Sequence, residues 1–429
     1  MPMRALRFAH LADLHLDTPF RGLAAVRPDL AEELRDASLA AWDDAVAHCV
    51  AVDVDFVVIA GDVYDDEVAG VRAQLRFLHG LERLSRANVP VFVVFGNHDP
   101  AGGRWPAVSD WPPGVTVFGH TGVASVPVIR DGATIAVVHG ISYRQRHETT
   151  NLALGFARAP EDVFQVGLLH ANVGDVPEHG RFAPCTMSDL VRAGLDYWAL
   201  GHVHERRVLR PADPMVAYPG NLQARHPNEP GAKGFLLVEV EPGAAPRASF
   251  RPTDRWRFHD VRVDLSAADG PRIDSLADLQ TVLHLRGLEH VRESDGRGAL
   301  LRAAVTGAST LHEALSRPGA GDGLLEALRD AAPDRVWWER LRVASRPAFD
   351  RAERIRAGDF LADLLVRSGS LRPGAEGAVR ALVEGLRLHP RLSPVSEALA
   401  WDDLVAEAGS LWDEAERLAF DRLDASEAE

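Results

Sequence analysis

Five short polar clusters hold the side chains best suited to metal chemistry. They are Asp13-Leu14-His15, Gly61-Asp62, Gly96-Asn97-His98-Asp99, His170-Ala171-Asn172 and Gly201-His202-Val203-His204. Imidazole, carboxylate and amide oxygen without cysteine suit Mn2+, Fe2+ or Zn2+ at a reactive site, whereas a structural zinc site normally draws on thiolates. Any one cluster alone is weak, because Asp caps helices and Gly, Asn and Asp favour turns. A lone His139, in Val137-Val138-His139-Gly140, reads as a hydrogen-bonded structural residue rather than a ligand. The five clusters carry weight together, because each directly follows an apolar run.

Those runs are the elements that must position them. Ala5–Ala9, Phe56–Ala60, Val91–Phe95, Thr134–Val138, Val166–Leu169, Tyr197–Leu200 and Phe235–Val240 are mostly Val, Ile, Leu and Phe without polar alternation. That pattern predicts strands buried on both faces. Helical patterns between them, Leu30–Val50 and Val71–Arg86, predict βαβ units, with Leu75, Leu78, Leu81 and Leu84 as a core face. Ligands of such sheets bind beyond the carboxyl ends of the strands, so five strands can deliver Asp, Asn and His to one pocket. The chain is expected to divide into a domain at 1–254, a small α/β domain at 255–346 and a helical region at 347–429. In the last, Asp359 reads as a helix cap. Trp401, Leu404, Leu411 and Trp412 fall on one face of an amphipathic helix.

The order Asp-x-His, Gly-Asp, Gly-Asn-His-Asp, His after a strand, and Gly-His-x-His resembles the signature of the calcineurin-like metallophosphoesterases, over residues 5 to about 205. Tyr218-Pro219-Gly220-Asn221 and Gly231-Ala232-Lys233-Gly234-Phe235 are similar to nuclease subunits of the SbcD type. Leu14–Leu23 and Tyr197–His204 look most like the bacterial YhaO branch. The resemblance implies an α/β fold: a metallophosphoesterase β-sandwich flanked by helices, then a small α/β cap domain and C-terminal helices. It implies that Asp13, His15, Asp62 and His204 hold one metal and that Asp62, Asn97, His170 and His202 hold the other, with Asp62 bridging. His98 then acts on the substrate and Asp99 orients its ring. The expected ions are two divalent cations, Mn2+ by preference. Two such ions about 3.5–4 Å apart make hydroxide available from a bridging water near neutral pH and neutralise charge on a phosphate. His98 stabilises that charge or protonates the departing sugar oxygen. The expected reaction is phosphodiester hydrolysis.

Composition bounds the substrate and the compartment. The 429-residue chain carries a net charge of −15, but residues 401–429 hold ten acidic residues and two arginines, more than half of it. A nucleic-acid face elsewhere stays compatible with that balance. Arg21, Arg104, Arg206, Arg207 and Arg225 follow the motifs and are candidate DNA contacts, in a chain whose only lysine is Lys233. No run of 18 apolar residues predicts a membrane helix, the start leaves no room for a signal peptide, and Cys49 and Cys185 are expected as reduced thiols. A cytoplasmic enzyme with no membrane partner is expected. The leading reading is a DNA exonuclease or endonuclease in DNA repair. The resemblance implies an SMC-type coiled-coil ATPase as partner, gripped by the C-terminal helices, and a homodimer as a further assembly. The alternatives are a phosphodiesterase of nucleotides or other small phosphodiesters, and a scaffold subunit with a structural metal site.

Overall fold

The structure is a computed structural model and describes residues 5–19, 27–65, 70–102, 110–174, 182–267, 270–348, 351–387, 405 and 408–427. The chain separates into two compact units, one of Met1–Val263, Pro271–Val305 and Pro318–Val343, the other of Asp264–Gly270, Thr306–Arg317 and Ala344–Glu429.

In the first unit the elements run β1 (Leu6–Leu11), α1 (Pro28–Ala51), β2 (Phe56–Ala60), α2 (Val71–Arg86), β3 (Val91–Val94), β4 (Val115–Val117), β5 (Ala124–Arg130) and β6 (Ala133–Gly140). They continue with β7 (Phe164–His170), α3 (Met187–Arg192), β8 (Tyr197–Gly201), β9 (Arg207–Arg210), β10 (Met215–Tyr218), β11 (Gly234–Val240) and β12 (Arg247–Pro252). Two six-stranded sheets result, ordered β12-β11-β1-β2-β3-β4 and β5-β6-β7-β8-β10-β9. Strands β1 to β4 are parallel, as are β6, β7, β8 and β10; the antiparallel strands lie outside them.

The apolar runs lack alternation because both of their faces are covered. Phe8, Phe56, Val58, Phe92 and Val94 meet Val138, Val166, Leu168 and Tyr197 between the sheets. Val57, Ile59, Val91 and Val93 face Trp42 of α1 and Phe77 of α2 on the other side. Each such large side chain, fully buried, contributes about 1.5–3 kcal/mol. The buried face of α2 is Ala73, Phe77, Leu81 and Leu84; Leu75, expected in the core, is 51% exposed because it lies off that stripe. The short strands β4, β5, β9 and β12 had no clear apolar run to mark them.

Beyond Pro252 a three-stranded sheet is built from β13 (Trp256–Asp264), β14 (Gly298–Ser309) and β15 (Val336–Pro347). Helices α4 (Leu276–Glu293), α5 (His312–Leu315) and α6 (Ala320–Asp330) are interleaved with its strands. Within the first unit, Trp256, Phe258 and Leu300 pack against Leu30, Leu34 and Ala37 of α1.

The second unit contains α7 (Arg351–Arg356), α8 (Phe360–Leu371), α9 (Ala375–Arg387) and α10 (Ala408–Glu427). Asp359 caps α8, its carboxylate accepting from Ala362 N at 2.9 Å. The small core there is Leu361 and Leu365, with Ile355, Leu364 and Leu423 against it. The Trp412 indole donates to Ser368 Oγ at 3.0 Å, so part of the amphipathic face is used within the unit. Trp401 and Leu404 lie outside the described residues. No helix among the described residues is long and apolar enough to cross a membrane.

Candidate metal centre

Parallel strands in both sheets end at one edge, and the polar clusters follow those ends. Asp13 and His15 come after β1, Asp62 after β2, Asn97 and His98 after β3, His170 closes β7, and His202 and His204 follow β8. Four of these residues take the left-handed backbone: Asp13 at φ 51°, His15 at 42°, Asp62 at 52° and His202 at 105°. Such conformations cost about 1–3 kcal/mol each and collect at functional sites. Two glycines let the layers meet. A Cβ on Gly201 would lie 1.8 Å from Ala60 O, and one on Gly96 would lie 2.4 Å from Asp62 Oδ1.

The hydrogen bonds fix the tautomer of each ring. His15 Nδ1 lies 3.0 Å from Asp65 Oδ1, and His204 Nδ1 lies 2.6 Å from Glu229 Oε1. A carboxylate accepts only, so both Nδ1 atoms carry the proton and both Nε2 atoms present lone pairs. Those Nε2 atoms face each other at 3.1 Å. Burial and then the Arg225 charge push His15 down to about 3, so its Nε2 offers a lone pair near neutrality. A metal cation satisfies both. Asp13 Oδ1 lies 4.0 Å from His204 Nε2, and ligand atoms of Asp13, His15 and His204 lie within 4.8 Å of one another.

The second cluster has the same logic. His170 Nδ1 donates to Ala60 O at 2.8 Å, which turns Nε2 toward Asn97 Oδ1 at 2.9 Å and Asp62 Oδ2 at 3.3 Å. His202 Nδ1 lies 3.2 Å from the same Asn97 oxygen. Burial pulls His170 down, but Asp62 and then Asp13 outweigh it and push it up to about 9: the pocket draws positive charge to that nitrogen. Asp62 Oδ2 also lies 3.8 Å from His15 Nε2, so one oxygen faces both clusters. Converging acceptors with few donors are the arrangement that a divalent cation fits.

All seven residues expected as ligands are thus brought together, with His98 beside them. The expected partner of His98 needs correction. Its Nδ1 lies 3.1 Å from Asp65 Oδ1, whereas the Asp99 carboxylate turns away and accepts from Val63 N at 2.6 Å, Tyr64 N at 3.3 Å and Gly96 N at 2.7 Å. Asp99 fastens the turns after β2 and β3. Burial, then the Asp62 charge, pushes it up to about 7. Asp65 also takes Arg225 Nη2 at 2.9 Å, which places that arginine at the site. Arg206 stacks over the Phe250 ring at 4.3 Å, Arg207 pairs with Glu205, and Arg21 and Arg104 lie outside the described residues. His139 stands between Ser125 Oγ at 2.7 Å and Gln165 Oε1 at 2.9 Å, as a structural residue would. Asp65 and Glu229 escaped sequence reasoning. Asp65 had one signal, its place three residues after Asp62; Glu229 follows no apolar run.

Residues 6–206 match the model of the calcineurin-like phosphoesterases, and residues 258–346 match the middle domain of the metallophosphoesterase YhaO. The uncharacterized metallophosphoesterase YhaO of Bacillus subtilis is 37% identical over 62% of this chain and 63% of its own length. The DNA double-strand break repair protein Mre11 of Thermoplasma acidophilum is 27% identical over 63% of this chain and 68% of its own. Mre11 of Halobacterium salinarum is 25% identical over 84% and 92%. The chain therefore spans less than two thirds of the length of its YhaO relative. The motifs, the doubled sheet and the matched segment agree: residues 6–206 are a calcineurin-like phosphoesterase domain, in a chain similar to the YhaO branch of that family.

Proposed function

We propose that the protein is a metal-dependent phosphodiesterase acting on DNA, an exonuclease or endonuclease that works in DNA repair beside an SMC-type coiled-coil ATPase. The observation that carries the hydrolytic reading is the convergence of ring nitrogens and carboxylate oxygens, His15 Nε2 against His204 Nε2, with His170 turned on Asn97 and Asp62. Asp13, His15, Asp62 and His204 would hold one cation, and Asp62, Asn97, His170 and His202 the other, with Mn2+ as the preferred ion. Bound there, the pair supplies Lewis acidity toward a phosphoryl oxygen and a water of lowered pKa.

The remaining work falls to the chain. Asp65 fixes the His98 ring through Nδ1, which leaves Nε2 as the nitrogen free to meet the departing sugar oxygen. Burial opposes charge on His98, but the Asp65 hydrogen bond and the Asp62 carboxylate raise it overall, as a proton donor requires. Arg225, held by Asp65, adds positive charge beside the phosphate. The choice of DNA is supported by the Mre11 relatives and by the arginines after the motifs. The ATPase follows from the resemblance of the motifs to SbcD-type subunits and is supported by Phe360, Val366, Leu371 and Leu382, apolar residues exposed on the helical unit.

The test is cleavage of end-labelled single- and double-stranded DNA with Mn2+, wild type against His98→Ala. Robust cleavage that the variant loses while keeping its metals supports the reading. Hydrolysis of bis(p-nitrophenyl) phosphate without cleavage of DNA would retain the centre and move the substrate to small phosphodiesters. Co-purification with a coiled-coil ATPase, lost in Val366→Asp/Leu382→Asp, tests the partner.

A further inference from the structure

His204 is held by a carboxylate that belongs to neither cluster. Glu229 Oε1 accepts from His204 Nδ1–H at 2.6 Å, while Oε2 accepts from Asn221 Nδ2 at 2.8 Å and from Arg225 N at 2.8 Å. The carboxylate is thus engaged on both oxygens and only 16% exposed. The turn that carries it is anchored from two sides. Glu229 N donates to His226 O at 2.9 Å, and Asn228 Oδ1 accepts from Arg302 Nη1 of β14 at 3.0 Å. Lys233 Nζ donates to His204 O at 3.1 Å, steadying the backbone beneath the same ring. In the second cluster, His170 is set instead by the backbone oxygen of Ala60.

We propose that Glu229 is a positioning residue for one cation position alone, that of Asp13, His15 and His204, because it holds His204 as the Nδ1–H tautomer. The inference rests on the two-cation reading above. The chemistry of an amide makes it testable. In Glu229→Gln, an amide oxygen kept on His204 Nδ1 turns the NH2 group onto the donors of Asn221 and Arg225. The opposite rotamer places NH2 against His204 Nδ1 and drives the proton to Nε2, the atom needed as a ligand. Either way the position is damaged. The partners that orient metal-bound histidines typically govern affinity by about 10–100-fold.

The experiment is titration of the full chain with Mn2+ by calorimetry, with the spin-coupled two-ion signal followed by electron paramagnetic resonance. Wild type is expected to take two ions. Glu229→Gln should weaken one of them about 10–100-fold, keep the other at wild-type affinity and lose the coupled signal at two equivalents. Glu229→Asp, which keeps an acceptor on a shorter arm, should fall between. The retained ion reports that the variant is folded. Two ions at wild-type affinity in Glu229→Gln, or equal weakening of both, would overturn the proposal. A wild type that takes fewer than two ions would instead remove the reading on which it rests. A further check needs no variant: long-range nitrogen–proton NMR of wild type free of metal should give His204 as the Nδ1–H tautomer, and the Nε2–H form would refute it.

Discussion

Gly201→Ala isolates how tightly the two sheets meet above the site. The added methyl would sit 1.8 Å from Ala60 O, 2.9 Å from Ala60 C and 2.9 Å from His170 Nδ1. Real Cβ atoms do not approach backbone within 3.0 Å, so β2 or β8 must move by more than an ångström. Ala60 O is also the acceptor that orients His170, at 2.8 Å. Overpacking a closed core costs about 1–3 kcal/mol, and stranding a buried hydrogen-bonding group costs about 1–3 more. Together these predict a loss of about 2–6 kcal/mol, a large part of the ~5–15 kcal/mol that holds a typical domain folded. Urea unfolding of wild type and variant reads that loss directly. Gly119→Ala is the control, since nothing lies within 4 Å of its Cβ and its backbone is not left-handed. It should be neutral or stabilising by about 0.4–1 kcal/mol. A Gly201→Ala variant within about 1 kcal/mol of wild type, with unchanged Mn2+ affinity, would refute the packing argument.

Two further outcomes follow from the geometry. Asp65→Asn should lower turnover or metal affinity about 10–100-fold, because Asp65 serves His15, His98 and Arg225. Asp99→Asn, whose carboxylate accepts only backbone N–H groups, should show its loss mainly in urea unfolding; equal kinetic losses in the two would contradict the assignment. The pH dependence of stability should carry a contribution from His259, Nε2 of which lies 2.8 Å from Ser294 Oγ. Burial, then His290 and Arg257, pushes it down from 6.5 to about 4. The unfolded chain therefore binds the proton first. Stability from this group is complete above pH 6.5, falls as the pH drops from 6.5 to 4, and levels off below. The full difference is worth up to about 3.4 kcal/mol, and solvent near the ring reduces it to about 1–2. The urea midpoint of wild type should fall more than that of His259→Gln between pH 7 and 4.5; parallel curves would count against it.

The candidate site was legible because parallel sheets leave a simple mark: an unbroken apolar run, buried on both faces, and then the polar residue that its carboxyl end presents. Val57, Val58 and Ile59 announce Asp62, and Tyr197 to Leu200 announce His202 and His204. What such a run does not announce is which way the next side chain turns. Asp99 adjoins His98 in sequence, yet its carboxylate points back into the turn, while Asp65, 33 positions away, reaches the ring. The left-handed backbone of Asp13, His15, Asp62 and His202 is equally silent, since no glycine stands there to signal it. Glu229 shows the limit most clearly. It gains meaning only because the chain, having passed through β9 and β10, returns beside His204 in a turn held by Arg302 from another sheet. The clustered site residues were written in local pattern; the atoms that orient their rings were written in tertiary contact. A catalogue of motif residues therefore marks the candidate site, but the choice of nitrogen that each ring turns into the cluster is made by Asp65, Glu229 and one carbonyl, Ala60, none of which belongs to a motif histidine's own strand.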